Sequence, residues 1–352
     1  MSQAASDQAV LMVNLGTPEA PTAAALRPWL AEFLGDERVI DLRPRWLWWL
    51  ILHGVILRIR PARSARAYQA IWRDDGSPLR VLSENLCDAV AVALARREAQ
   101  PPQLVLAMRY GQPSVQASIT RLQAEGVRKL LVLPMYPQYS ATSTGSVIDA
   151  VADAAKSLRW PPEVRLVNDY HDNHAWLDTL AASVRRHWQE QGRGERLLLS
   201  FHGIPQRYVR LGDPYLDQCR ATAAGLRQRL GLDASQAPMS FQSRVGREPW
   251  LQPYTDHTVR ELAQQGIRKL DVICPGFAVD CLETLEEIAE ENAAYFREAG
   301  GESLRYIPAL NDSIEHAEML AGLISDYTQD WRAGSTPPAR HGEQGTGNVA
   351  GY

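Results

Sequence analysis

The residues best suited to chemistry are one histidine and a run of carboxylates, each at the end of an apolar stretch. Ser200-Phe201-His202-Gly203-Ile204-Pro205 follows Leu197-Leu198-Leu199, and Phe277-Ala278-Val279-Asp280-Cys281-Leu282-Glu283 follows Leu270-Asp271-Val272-Ile273. Short apolar runs bounded by turn residues read as buried strands. Both segments therefore fall where parallel strands end, the place where open α/β sheets put ligand chemistry. Asp280, Glu283 and Glu287 are three and four residues apart and share a face if the stretch is helical, with Glu290 and Glu291 beyond them. Such a face is unfavourable unless a cation visits it. Neutral imidazole is both a common metal ligand and a proton acceptor near neutral pH, so the two segments suggest a metal ion, a proton path, or both. A structural histidine and a solvated acidic face stay open as alternatives. Against the second, Glu283 lies less than two turns from Phe277, at an apolar strand end that should be buried. A partly buried carboxylate among like charges has a raised pKa and can carry protons.

The elements that must position these residues come twice. Gly126-Val127-Arg128-Lys129-Leu130-Leu131-Val132-Leu133-Pro134 matches Gly266-Ile267-Arg268-Lys269-Leu270-Asp271-Val272-Ile273, and Val13-Asn14-Leu15-Gly16-Thr17-Pro18 resembles Ser200 to Pro205. Between them, Arg109-Tyr110-Gly111 and Arg244-Val245-Gly246 hold corresponding places. Three paired strand ends in one order predict a duplicated α/β lobe. Helical periodicity over Ser83–Arg97 (after a Ser/Glu start like an N-cap), His174–Gln191 and Thr255–Gln265 separates the strands. Alternating strands and helices imply parallel sheets with helices on both faces. The expected division is a first Rossmann-like lobe over 8–165, a second over 166–330, and a disordered Gly/Pro-rich tail over 333–352.

A net charge of −4 with no basic stripe argues against nucleic acid as a partner, and four scattered cysteines without a CxxC pair argue against a disulfide framework or structural zinc. No GxGxxG, Walker A, HExxH or GxSxG motif is present. The start of the chain lacks the basic and apolar regions of a signal peptide, so a cytoplasmic protein is expected. One block stands out. Trp46 to Leu57 is apolar and tryptophan-rich, flanked by Arg43, Arg45, Arg58, Arg60, Arg63 and Arg66. It is too short to span a bilayer, which takes about 20 residues. It reads as a buried helix or, given the arginines, as an interfacial lip at a membrane surface or at the mouth of an apolar pocket. Pro134 to Ser146, dense in tyrosine and hydroxyls after a strand, could bind carboxylates or phosphates or simply cap a helix.

At these motifs the chain resembles the ferrochelatases, over roughly residues 8–325. The resemblance rests on Asn14-Leu15-Gly16-Thr17-Pro18, Arg109-Tyr110-Gly111, Leu133 to Ser146, Ser200 to Pro205, Gln242-Ser243-Arg244-Val245-Gly246 with Pro249-Trp250-Leu251, and Pro275 to Glu287. It implies two similar Rossmann-like lobes, each a parallel sheet flanked by helices, with a porphyrin cleft between them, and insertion of Fe²⁺ into protoporphyrin IX. It further implies His202 and Glu283 as the catalytic and metal residues, and Asp280, Glu287 and Glu291 as an acidic path. Leu15, Arg109, Tyr110, Tyr136, Trp250 and Phe277 would bind the porphyrin, and the tryptophan block would be the lip over which it enters, with peripheral membrane contact. Relatives with an iron–sulfur cluster carry cysteines near the Tyr139 loop and in the tail; here Ala141 and a cysteine-free tail lead to the expectation of no cluster and no permanently bound cofactor, iron being a substrate. Some relatives have histidine where this chain has Cys281, which leaves that residue's part in proton transfer open. Chelation of coproporphyrin III, a cobalt–tetrapyrrole pair, a non-catalytic porphyrin carrier and a two-lobed small-ligand binder remain alternatives.

Overall fold

A computed structural model describes residues 6–246 and 248–332; the tail from residue 333, expected to be disordered, lies outside them. Two four-stranded parallel sheets form the frame. The first uses β1 (Gln8–Asn14), β2 (Gln103–Met108), β3 (Lys129–Pro134) and β4 (Glu163–Leu166) in the order β2-β1-β3-β4. The second uses β5 (Arg196–His202), β6 (Met239–Gln242), β7 (Lys269–Ile273) and β8 (Ser303–Ile307) in the order β6-β5-β7-β8. The orders are the same, and each pair of matching sequence segments falls at equivalent strand ends.

Side chains alternate across a strand, and here the alternation decides how the lobes join. Val10 and Met12 of β1 and Leu197, Leu199 and Phe201 of β5 belong to one continuous core. Ala9, Leu11 and Val13 face a separate core of the first lobe, and Leu198 faces one of the second. The shared core is filled by the helices Pro78–Arg97, His174–Gln191 and Ile314–Arg332. The last of these, though late in sequence, closes on the first sheet. Arg97 pairs with Glu318 at 2.7 Å, Arg165 with Asp330 at 2.5 Å, and Gln8 donates to the Trp331 carbonyl at 3.3 Å.

One local reading is corrected and another is refined. Ser83 does not cap a helix: the helix starts at Pro78, which suits the first turn because it needs no N–H there. Ser83 lies inside it, donating to the Leu79 carbonyl at 2.6 Å and accepting from Asn14 at 3.1 Å. The tryptophan block is both core and surface. It runs as the helix Arg45–Ile51, a π-helical turn Leu52–Ile56 and the helix Leu57–Ile71. Trp48, Leu52 and Leu57 are buried, each burial contributing about 1.5–3 kcal/mol. Trp46, Trp49, Leu50, Val55 and Ile59 are 51–68% exposed. Among the described residues no helix is long and apolar enough to cross a membrane. The four cysteines are free and buried.

Candidate active site

His202 is the last residue of β5, half-buried, with Nδ1 2.6 Å from the Gly203 carbonyl. A carbonyl only accepts, so Nδ1 carries a proton, and in the neutral ring the lone pair is on Nε2. The ring lies near two aromatic side chains, its centroid 6.5 Å from Trp250 and 6.4 Å from Phe277. Trp250 is strapped to the histidine turn: Leu251 N donates to the Ile204 carbonyl at 3.0 Å, and Gln206 Nε2 donates to the Trp250 carbonyl at 3.0 Å. Gly203 permits this closeness, since a Cβ there would sit 2.9 Å from the Gln242 carbonyl and 3.2 Å from the Trp250 ring. The Trp250 indole N–H is buried without a partner among the described residues. A cavity of about 560 Å³ opens beside it, lined also by Arg244, Glu248 and Tyr254.

Gln242 stands beside His202 in strand register and carries the arrangement to the carboxylates. Its Oε1 accepts from Ser200 Oγ at 2.7 Å and Cys274 Sγ at 3.4 Å, while its Nε2 donates to the Glu283 carbonyl at 2.7 Å. Glu283 begins a short helix, Leu282–Leu285, capped reciprocally by Cys281 and Thr284. Burial pushes the Cys281 thiol well up, and the Glu283 charge and hydrogen bond push it further. Arg60 and Tyr68, on the helix behind the lip, share this neighbourhood. Burial pulls the Arg60 guanidinium down, as does Arg63, against the pull of Glu283; burial pushes the Tyr68 hydroxyl up, helped by Glu283 and Cys281. The first lobe thus brings a cation and a phenol to the second lobe's carboxylate.

Glu287 opens a π-helical turn, Glu287–Asn292, of the kind concentrated at functional sites. Ser243 holds both its oxygens: the amide donates to Oε1 at 2.7 Å and the hydroxyl donates to Oε2. To do so Ser243 adopts φ 64°, a left-handed conformation unusual outside glycine. Burial pushes the Glu287 carboxyl up to about 7; the Ser243 bonds oppose this, while Glu283 and Glu291 add to it. Glu286 is likewise raised, by burial first and then by Glu291, Glu290 and Glu283. Glu291 is exposed and accepts from Tyr295 Oη at 2.5 Å.

Three expected site residues are committed to hydrogen bonds within the fold. Asp280 precedes the helix and is buried as an anchor: it accepts from Tyr306 Oη at 2.6 Å, Asn311 Nδ2 at 2.7 Å, Thr284 Oγ1 at 2.9 Å and Ala309 N at 3.3 Å. A carboxylate whose lone pairs are filled this way has little left for a path. Arg109 and Tyr110 both bind Asp36 Oδ2, at 2.6 and 2.8 Å, with Ser146 Oγ at 2.5 Å on the same oxygen. Tyr110 is 1% exposed and has no face to offer a macrocycle. Leu15 and Tyr136 are half-buried, and the Tyr136 hydroxyl has no partner among the described residues. Its pKa is raised by burial and by Cys281, against Arg109, which puts it near both residues.

His202 and Glu283 belong to no group of three donors within 4.8 Å of one another; among the described residues, Asp169, His171 and Asp172 form that group, in the segment joining the lobes. There His171 Nδ1 is already 2.7 Å from Asp169. The residues sequence reasoning left without a role are Gln242 and Ser243. The signal for Gln242 was a polar side chain closing the apolar run of β6.

Fold and site together define a two-lobed α/β protein of the chelatase type. SirB from Bacillus subtilis with Fe³⁺ superposes with a TM-score of 0.53 at 11% identity, covering 92% of this chain and 98% of that one. CbiX, a terminal enzyme of sirohaem biosynthesis in denitrifying bacteria, gives 0.50 at 16%, covering 91% and 99%. Such low identities speak to the fold alone. The sequence goes further: the ferrochelatase family model matches residues 7–328. The ferrochelatase of Nitrosococcus oceani is 51% identical over 97% of this chain and 91% of its own length, and that of Aeromonas hydrophila 52% over 90% and 97%. The chain belongs to the ferrochelatase family. It is a metal chelatase, a lyase of haem biosynthesis that inserts ferrous iron into a porphyrin.

Proposed function

We propose that the porphyrin is protoporphyrin IX, bound between the lobes against Trp250 and Phe277 and under the lip, with Leu15 and Tyr136 on the first-lobe side. The observation carrying this reading is His202, its tautomer fixed by Gly203 and its ring set near two aromatic side chains. Insertion replaces two pyrrole N–H bonds by bonds to iron and releases two protons. The lone pair on His202 Nε2 takes a pyrrole proton. Glu283 handles the metal on the carboxylate side and hands the second proton to Glu287, whose pKa near 7 suits exchange at neutral pH. Exposed Glu291 gives that path its outlet to solvent. Stacking on Trp250 and Phe277 holds the ring bent; strain of ~1–5 kcal/mol is the usual scale for such distortion.

The exposed tryptophans of the lip, with Arg58 and Arg66 on the following helix, fit a peripheral contact with an anionic lipid surface, which would hold the enzyme at the cytoplasmic face. Ala141 in the loop after β3 supports a protein without a cluster. In this reading the lobes divide near residue 165, with the last helix shared.

The test is anaerobic. Protoporphyrin IX fluorescence is followed on adding Fe²⁺ to wild type, His202→Ala and Glu283→Gln, with folding checked by circular dichroism. Rapid quenching to a metalloporphyrin spectrum in wild type alone is expected. Near-normal insertion by folded His202→Ala would remove His202 from the mechanism, and quenching only with coproporphyrin III would reassign the substrate.

A further inference from the structure

The loop that leaves β3 reaches out of its own lobe at Gln138. The side chain is 2% exposed, and Nε2 donates to Thr222 Oγ1 at 3.0 Å and to the Pro275 carbonyl at 3.2 Å. Both amide hydrogens are thereby used. Thr222, on the helix Tyr215–Leu230, passes its own proton to the His171 carbonyl at 2.8 Å, in the segment that joins the lobes. One glutamine of the first lobe thus ties together a second-lobe helix, the interlobe segment and the strand end that leads to Phe277. Its neighbours reinforce the junction. Tyr139 N donates to Gln218 Oε1 at 2.6 Å, and Ser140 Oγ and Ala141 N donate to Asp213 Oδ2 at 2.9 and 2.8 Å. Gly276 leaves room for the amide, because a Cβ there would lie 3.3 Å from Gln138 Oε1 and 3.6 Å from the Phe201 ring.

We propose that Gln138 is a positioning residue for metal insertion, a latch from the first lobe that fixes where Phe277 stands relative to His202. The proposal rests on the reading of Phe277 as a wall for the macrocycle. The chemistry is short-range. A free Pro275 carbonyl would be a buried acceptor without a partner, and the chain would shift to satisfy it. Phe277 is two residues on, and a displacement of about 1 Å at a reacting geometry costs on the order of 10²-fold in rate. Among the described residues, Gln138 is the one donor to the Pro275 carbonyl.

The experiment uses Gln138→Met, which keeps length and removes both donors, alongside Phe277→Leu and the double variant. Thr222→Val cuts the same junction from the other side. The measurements are kcat and KM for protoporphyrin IX and for Fe²⁺, and the out-of-plane resonance Raman bands of the bound porphyrin. The expected result is a loss of roughly 10–100-fold in kcat/KM for porphyrin, an unchanged KM for Fe²⁺ and weaker out-of-plane bands. The double variant should be no worse than either single one, because both act at the same wall. Wild-type kinetics and bands in folded Gln138→Met, beside an impaired Phe277→Leu, would overturn the latch alone. Losses that multiply in the double variant would overturn it too. Wild-type behaviour of Phe277→Leu would remove the wall and the latch with it. If Gln138→Met does not fold, Thr222→Val decides: the same pattern at smaller amplitude supports the latch, and wild-type values overturn it.

Discussion

Glu287 is expected to make this protein less stable as its active site becomes competent. Its carboxyl has a folded-state value of about 7 against an ordinary 4.5, chiefly through burial. Between those pH values the unfolded chain has released the proton and the folded chain still holds it, so stability falls as pH rises. The contribution is fully present below the unfolded value and is gone once pH passes the folded one. At 1.36 kcal/mol per pKa unit the loss comes to roughly 3 kcal/mol. Glu287→Gln removes the titration while keeping the shape. Urea unfolding of both proteins at several values from pH 4.5 to 8 should show the variant gaining on wild type by roughly 3 kcal/mol across that interval, then no further. Glu286, present in both, cancels in the difference. Metal insertion should meanwhile drop on the order of 10²-fold, the usual scale for losing a proton-transfer group. A stability difference independent of pH, or one that shrinks as pH rises, would refute the assignment of a buried, proton-holding carboxyl here.

Ser243→Ala removes a hydroxyl bond to the charged form of Glu287. Losing a bond of ~1.5 kcal/mol raises the carboxyl by about one unit, so a limb of the kcat/KM profile near pH 7 should move up by that much; an unmoved limb would take Glu287 out of it. Asp280→Asn should lower stability by about 2–4 kcal/mol, since an amide cannot accept all four of its donors, while turnover per folded molecule stays normal. A large kcat loss at unchanged stability would return Asp280 to the acidic path. Trp46→Ser with Trp49→Ser should abolish sedimentation with phosphatidylserine vesicles; retained vesicle binding would separate the lip from any membrane role.

Much of the frame was legible in sequence because it depends on short-range pattern. Apolar runs at Val10–Val13 and Leu197–Leu199, short and bounded by turn residues, read as strands buried on both faces, and the matched segments after them give equivalent strand ends. His202 followed from that placement. The anchoring bonds of Asp280 were not legible because spacing alone assumes a helix that begins before it, whereas Thr284 and Cys281 cap the chain at Leu282. The bonds of Arg109 and Tyr110 to Asp36 were not legible because Asp36 is distant in sequence and only the fold closes that knot. Gln242, Ser243 and Gln138 act through hydrogen bonds to residues 41 to 137 positions away, which no local pattern encodes.

The two lobes share a strand order but divide the work, and equivalent positions show how. Leu15 follows the last residue of β1 and His202 is the last residue of β5, at matching positions of the two segments, so one lobe has an apolar side chain where the other has an ionisable ring. Arg109, after β2, is sunk into a bond with nearly buried Asp36, whereas Arg244, after β6, lies over Tyr254 at 4.3 Å beside the cavity at Trp250. The first lobe's strand end after β2 is thus locked by internal polar bonds, while after β3 the Tyr136 hydroxyl is without a partner among the described residues. The second lobe's strand ends keep polar atoms uncommitted, among them the Trp250 indole N–H and the His202 Nε2 lone pair. A chelatase needs that asymmetry. The ring must be held by a surface that does not titrate, while protons leave on one that does. If both lobes carried ionisable strand ends, the apolar macrocycle would face two charged walls, and neither could bend it.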